Sequence, residues 1–435
     1  MLKQLEQEVH MNSNIFLLMF GLNPDDFEPN NDGLIEYETG YIVDLIQKIP
    51  KEKRKCPSCG SYKCYSNGRY NVNYEDFAPN GKRYVFNITR SRLRCEVCGK
   101  TFSPSLTGIK PYSILTKNVQ EKIINDLKSK KTFSDIADHY HVTTSYVIKL
   151  FDETYKYIPG GNMPEILCID EFYFSRKADF KYCCCLVDFR NRELIDIIQS
   201  RQKPFLEEYF DNVPYAHRKG VRYFVSDMYD GYAYIKHKYF PDAVHVIDLF
   251  HVVSLLTNAV NSIRCQVVKQ RGIDDYLNRF MKLHWEYFLC RYEKIPDKWY
   301  APKDQDGVVY HYDEMVSSCI KLDKDLWEGS LVLQDLLHYK WYGSYEDSLR
   351  FIELMSKRLI DTGNEYLEKV GNSYHKWRYE IASGFAKNEY GIHISNGIAE
   401  CINNNIKTII KLAYGYRNFE RFRKRCMLMY YYSEK

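Results

Sequence analysis

Between residues 164 and 251 the chain passes through apolar segments of strand length, ILCI, YCCCLV, ELIDII, YFV and VHVI, with helix-like PFLEEYF and YAYIKHKYF set among the later ones. Three consecutive strands followed by alternating helix and strand predict a mixed sheet with helices on its faces, because sequential strands pair and a parallel return needs a crossover. Two of these segments lead into an acid: residues 166–169 run into Asp170, and residues 223–225 run through Ser226 into Asp227. A chain leaving a sheet presents such side chains at its edge. A third acid, Glu400, sits in a helical pattern. It lies off a stripe made by Ile394, Ile398, Ile402, Ile406 and Ile409, with Asn396, Asn404 and Lys407 on the polar side. Carboxylates gathered from separate elements are what a pair of hard divalent cations requires.

At 435 residues the chain exceeds one ordinary core, so several domains are expected. The boundaries predicted are an acidic N-terminal segment at 1–50, a cysteine-bearing domain at 51–110, a helical domain at 111–160, the first part of the sheet core at 161–251, a helical stretch at 252–390 and closing helices at 391–435. The net charge of +4 hides an uneven distribution: residues 1–50 carry net −7, residues 51–110 net +9 and residues 401–435 net +6. Two basic blocks in a near-neutral chain point to a polyanionic partner. No apolar stretch approaches a membrane span, and residues 14–20 are too short and poorly flanked for a secretion signal, so a cytoplasmic protein is expected. In that reducing setting the 14 cysteines are thiols or metal ligands rather than disulfides, and Cys183, Cys184 and Cys185 read as buried small apolar residues.

Cys56-Pro-Ser-Cys59-Gly and Cys95-Glu-Val-Cys98-Gly form two C-x-x-C-G knuckles. Each puts two thiolates on one tight turn, so four sulfurs close a tetrahedral zinc site of structural type; redox pairs or plain buried cysteines are the alternatives. The alternating KRYVFNITRSRLR before Cys95 predicts an extended hairpin, which accounts for the long gap between the knuckles. Such a site would order Lys82, Arg83, Arg90, Arg92 and Arg94, and also Lys51, Lys53, Arg54 and Lys55, toward DNA.

Residues 113–157 predict three helices. Within them, residues 132–151 have helix-turn-helix spacing, with Ile136, Ala137 and Tyr140 inward, Val142 at the turn, Thr143 or Thr144 as cap, and Val147, Ile148 and Phe151 anchoring the second helix. Ser145, Tyr146 and Lys149 then face a DNA groove; an ordinary helical hairpin shows similar spacing. Farther on, Asp248-Leu-Phe-His251 reads from its residues as a helix cap followed by a packed histidine, and in the resemblance described next as an auxiliary D-x-x-H pair at the fifth strand's exit.

Taken together, ILCIDEF, YFVSDMYDGY, VIDLFHVV and ISNGIAECINNNIK resemble the DDE transposases of bacterial insertion sequences, specifically the ISL-three family, over roughly residues 50–430. The resemblance implies a multidomain α+β and α/β protein: a zinc ribbon, a helix-turn-helix, and a ribonuclease H-like mixed sheet with flanking helices and a large all-α insertion. It implies that Asp170, Asp227 and Glu400 bind two Mg²⁺ or Mn²⁺ ions, that Lys407 contacts a phosphate, and that the enzyme cuts and joins transposon ends and target DNA as a homodimer or larger assembly. The competing expectation is a DNA-binding regulator with an inert core. The five tryptophans, Trp285, Trp299, Trp327, Trp341 and Trp377, are expected to be mostly core.

Overall fold

The computed structural model describes residues 14–432 apart from 38–39, 78–81, 111–112, 156–160, 176–179, 272–274, 304, 306, 340–343, 414 and 417. The chain divides into two compact units, Met1–Lys156 and Tyr157–Lys435.

In the first unit a short helix α1 (residues 14–19) precedes β1 (Phe27–Tyr37), β2 (Gly40–Gln47), β3 (Cys64–Phe77), β4 (Arg83–Cys95) and β5 (Thr101–Phe102). They form one sheet of order β1-β2-β4-β3, with β5 on β4. β3 and β4 make the expected long antiparallel hairpin, while β2 pairs parallel to β4 from Gly40↔Arg83 to Ile46↔Thr89. The acidic segment is therefore woven into the cysteine-bearing sheet, and the boundary expected at residue 50 is not a structural one. Leu17, Phe20, Phe27, Val43, Leu45, Tyr74, Phe86 and Ile88 bury together to hold it there. Alternation across the pleat supplies that face, since residues two apart share a side.

Three helices follow: α2 (Lys117–Asp126), α3 (Phe133–His139) and α4 (Thr144–Thr154). Thr132 and Asp135 form a capping box on α3, and Thr143 caps α4 by accepting from Tyr146 N–H at 3.2 Å. His141 turns the chain between them at φ 49°. Ile136, Ala137, Tyr140, Val147 and Phe151 are buried as expected.

The second unit opens with β6 (Ile166–Tyr173), β7 (Tyr182–Asp188) and β8 (Glu193–Ile198), then α5 (Lys203–Asp211), α6 (Tyr215–Arg218), β9 (Tyr223–Ser226), α7 (Asp230–Tyr239) and β10 (Val244–Ile247). The sheet order is β10-β9-β6-β7-β8; β6, β7 and β8 are an antiparallel meander, and β9 and β10 are parallel returns. One face packs Ile166, Cys168, Cys183 and Cys185 on C-terminal helices through Ile402, Ile406 and Phe422. The other packs Leu167, Ile169, Cys184 and Leu186 on Leu206, Phe210, Tyr232 and Ile235. Cover on both faces explains why these strands are apolar throughout.

Helices α8 (Leu249–Gln270), α9 (Tyr276–Leu283), α10 (Tyr312–Ile320), α11 (Lys324–His338), α12 (Tyr345–Asp361), α13 (Glu365–Lys376) and α14 (Arg378–Phe385) share their own core, and α15 (Gly397–Leu412) and α16 (Phe419–Tyr432) return to the sheet. A two-stranded ribbon, β11 (Trp299–Tyr300) with β12 (Tyr310–His311), interrupts a stretch expected to be almost wholly helical. The tryptophan expectation also needs correction. Trp377 is buried at 6% exposure, but Trp285, Trp299 and Trp327 are 48%, 66% and 38% exposed, and Trp341 lies outside the described residues. Among the described residues no helix is long and apolar enough to cross a membrane.

Candidate functional site

Register gathers the acids of the second unit. Cys168 on β6 pairs with Val225 on β9, and Ser226 pairs with Ile247 on β10, so Asp170, Asp227 and Asp248 emerge side by side at one edge of the sheet. Asp248 is also the N-cap of α8, which places His251 in the first turn, with Nε2 at 2.9 Å from Asp227 Oδ1. The ligand atoms of Asp227, Asp248 and His251 all lie within 4.8 Å of one another. The tightest set therefore joins Asp227 to the two residues expected to be auxiliary. Asp170 and Glu400, the other two acids expected in the site, are not members of that set and interact with it electrostatically.

Burial, and then the Asp227 charge, push Asp170 up to about 7, against the opposing pull of the Glu171 N–H at 2.7 Å and the Asn403 amide at 2.6 Å. Burial raises Asp248. Half-buried Glu400 is raised by burial and by the Asp248 charge, while Lys407 acts in the other direction. The hydrogen bond to Asp227 drives His251 up to about 9. An excess of negative charge held in a partly dry site is thus balanced by one imidazolium, the condition under which a divalent cation binds favourably.

The donors suit such an ion. Asp248 Oδ2, within the set, is a buried oxygen without a hydrogen-bond partner among the described residues, and oxygen ligands are what Mg²⁺ and Mn²⁺ take. Neighbouring acids have other duties: Glu171 grips Arg201 at 2.6 and 2.7 Å, and Asp230 accepts from Lys376 at 2.5 Å.

Sequence reading missed Asn403. Asn396, Glu400, Asn403 and Lys407 follow one another at spacings of four, three and four, which keeps all four on one face of α15. Asn404 is exposed, in keeping with the polar side expected for it, whereas Asn396 and Asn403 are buried. Lys407 is exposed.

In the first unit Cys56, Cys59, Cys95 and Cys98 converge, with Cys56 Sγ to Cys98 Sγ and Cys59 Sγ to Cys95 Sγ both 3.5 Å. A tetrahedron with Zn–S bonds of about 2.3 Å has edges of about 3.8 Å, so the cage fits zinc. Gly60 and Gly99, at φ +73° and +72°, close the knuckles by donating to the Cys56 and Cys95 carbonyls. The N–H groups of Cys98 and Val97 hold the Cys95 thiol down at about 6 against burial. Cys59, although lowered by the Ser61 N–H, is pushed up to about 12 by its hydrogen bond with the Cys95 sulfur and by burial.

The expected DNA contacts fare unevenly. Arg83 is paired with Glu75, and Arg90 donates to Pro104 O at 2.6 Å and Tyr74 Oη at 3.1 Å; both guanidiniums serve the sheet. Arg92 stays exposed, its guanidinium 4.7 Å from the centre of the Tyr70 ring. Ser145 and Lys149 are exposed, with Lys149 3.8 Å from Glu153, but Tyr146 turns back and bonds Ser113 and Gln120 through its hydroxyl. The reason is helical phase: Tyr146 lies one position before Val147 on the buried side.

Residues 167–426, more than half of the chain, match the family model for transposases of the ISL3 type. The chain is also 22% identical, over 396 residues, to the transposase for insertion sequence element IS1001 of Bordetella parapertussis, which takes in 88% of this chain and 91% of that one.

Proposed function

Because the chain belongs to the ISL3-type transposase family, we propose that it binds the terminal inverted repeats of an insertion sequence and carries out metal-dependent cleavage and strand transfer of DNA. The observation that carries this reading is the convergence of Asp227, Asp248 and His251 within 4.8 Å of one another, with Asp170 and Glu400 in electrostatic reach of them. A three-strand meander followed by two parallel returns supports a ribonuclease H-like core, with Asp170 on β6 and Asp227 just beyond the end of neighbouring β9.

In this reading Asp170, Asp227 and Glu400 hold two Mg²⁺ or Mn²⁺ ions, which when bound supply activation of the attacking oxygen and stabilisation of the leaving one. His251 Nε2, 2.9 Å from Asp227 Oδ1, pairs with that carboxylate and aims it, and Asp248 holds the start of α15 by accepting from Asn396 N–H at 3.3 Å. Lys407, two turns beyond Glu400, faces solvent and steadies a phosphate near the scissile bond. The four cysteines hold a structural zinc with no open position for chemistry. Arg92, Ser145 and Lys149 remain as DNA contacts. Paired ends call for at least two copies, so a homodimer is the smallest active assembly.

The test is incubation of labelled end DNA with the protein and Mg²⁺ or Mn²⁺, wild type beside Asp227→Asn. The reading expects cleavage and joining by wild type, and DNA binding without either step by the variant. Equal activity in both would remove Asp227 from the site, and binding without any cleavage by wild type would favour a regulator.

A further inference from the structure

Asn403 is 2% exposed, and its amide is oriented by two acceptors: Nδ2 donates to Asp170 Oδ2 at 2.6 Å and to the Glu171 carbonyl oxygen at 3.3 Å. A flipped amide would set its oxygen against that backbone carbonyl, so the donor must be the nitrogen. The remaining oxygen of Asp170 accepts from Glu171 N–H at 2.7 Å, which leaves the carboxylate no free rotation. Asn403 also lies three residues after Glu400, one turn along the same face of α15. One helix therefore brings both the third acid and the clamp on the first.

We propose that Asn403 is the positioning residue of the metal centre: it locks the Asp170 carboxylate in one orientation and ties the distance between Asp170 and Glu400 to the docking of α15. The proposal rests on reading Asp170 and Glu400 as cation ligands. Its physical basis is that a ligating carboxylate held by an outer hydrogen bond binds without first losing rotational freedom, and outer partners of this kind typically change metal affinity by roughly 10–100-fold. A merely structural asparagine would instead pin α15 to β6, and its loss would register in stability alone.

Mn²⁺ binding to the zinc-loaded full chain without DNA, followed by the paramagnetic resonance of the free ion, separates these roles. Wild type, Asp170→Asn, Asn403→Leu and Asn403→Ser are compared, with zinc content and melting temperature as checks on folding. Leucine fills the asparagine's volume without a donor; serine keeps a polar group too short to reach Asp170, and serves if the leucine variant does not fold. The expected result is affinity weakened roughly 10–100-fold in the folded Asn403 variants. End cleavage should then need more Mg²⁺ for half-saturation while recovering most of its rate at high Mg²⁺. Unchanged Mn²⁺ affinity in folded Asn403 variants, with affinity lost in Asp170→Asn, overturns the proposal alone. Equal binding by wild type and Asp170→Asn overturns the metal-centre reading and the proposal with it.

Discussion

Asp170 and His251 titrate in the same direction for opposite reasons, and together they make the cation-free site a function of pH. His251, at about 9 in the folded chain against 6.5 ordinarily, adds stability that is full below pH 6.5 and lost as pH rises through 9. Asp170, near 7 against 3.8, favours its neutral form when folded, so the cost of ionising it grows between pH 4 and 7 and persists above. Both contributions make the cation-free protein weaker in alkali. Added Mg²⁺ should therefore raise the melting temperature more at pH 8 than at pH 6, where protons compete for the carboxylate. An equal or reversed effect, read by calorimetry, would contradict the charge balance described. Arginines separate similarly by what they touch. Arg92→Ala should weaken DNA binding and leave the fold intact; Arg90→Ala should instead lower the melting temperature, because Tyr74 Oη loses its guanidinium donor and Pro104 O keeps only the Gln47 amide.

Elements carry a second kind of dependence. Helix α14 approaches the end of β10 so closely that a Cβ on Gly384 would stand 2.5 Å from Ile247 O, immediately before Asp248. In an open helix, alanine for glycine stabilises by about 1 kcal/mol. Here the clash wins, and Gly384→Ala should displace Asp248 and reduce end cleavage while zinc content stays unchanged. On α15, Ile406→Ala empties a fully buried position and should cost about 2–5 kcal/mol, measured by denaturant unfolding. Such elements were largely legible: the isoleucine stripe gave α15, the apolar runs gave the strands of the second unit, and Thr132 and Thr143 cap helices where the spacing required them. What escaped was contact between elements. Nothing local to Asn403 tells it apart from Asn404 except a polar spacing of four, three and four, and its partner Asp170 is more than two hundred residues away. Tyr146 and the exposed tryptophans were misjudged because residue type sets a tendency to burial but not the phase of a helix or the side of a ribbon.

Across the whole molecule, charge composition suggested a cut at residue 50 that β2 crosses by pairing parallel to β4. Composition reports solvation, while pairing depends on register, and register is set by residues far apart in sequence. The basic blocks remain the basis for a polyanion partner, so DNA affinity should fall steeply between low and moderate salt as phosphate neutralisation releases counterions; a flat dependence in a gel-shift series would count against it. In the proposed reading Asp170 on β6, Asp227 just after β9 and Glu400 on α15 would enclose two cations. Anomalous diffraction from crystals grown with Mn²⁺ tests it most directly. Two manganese peaks held among Asp170, Asp227 and Glu400 are expected. A single peak held by Asp227, Asp248 and His251, with Asp170 and Glu400 standing clear of it, would contradict it.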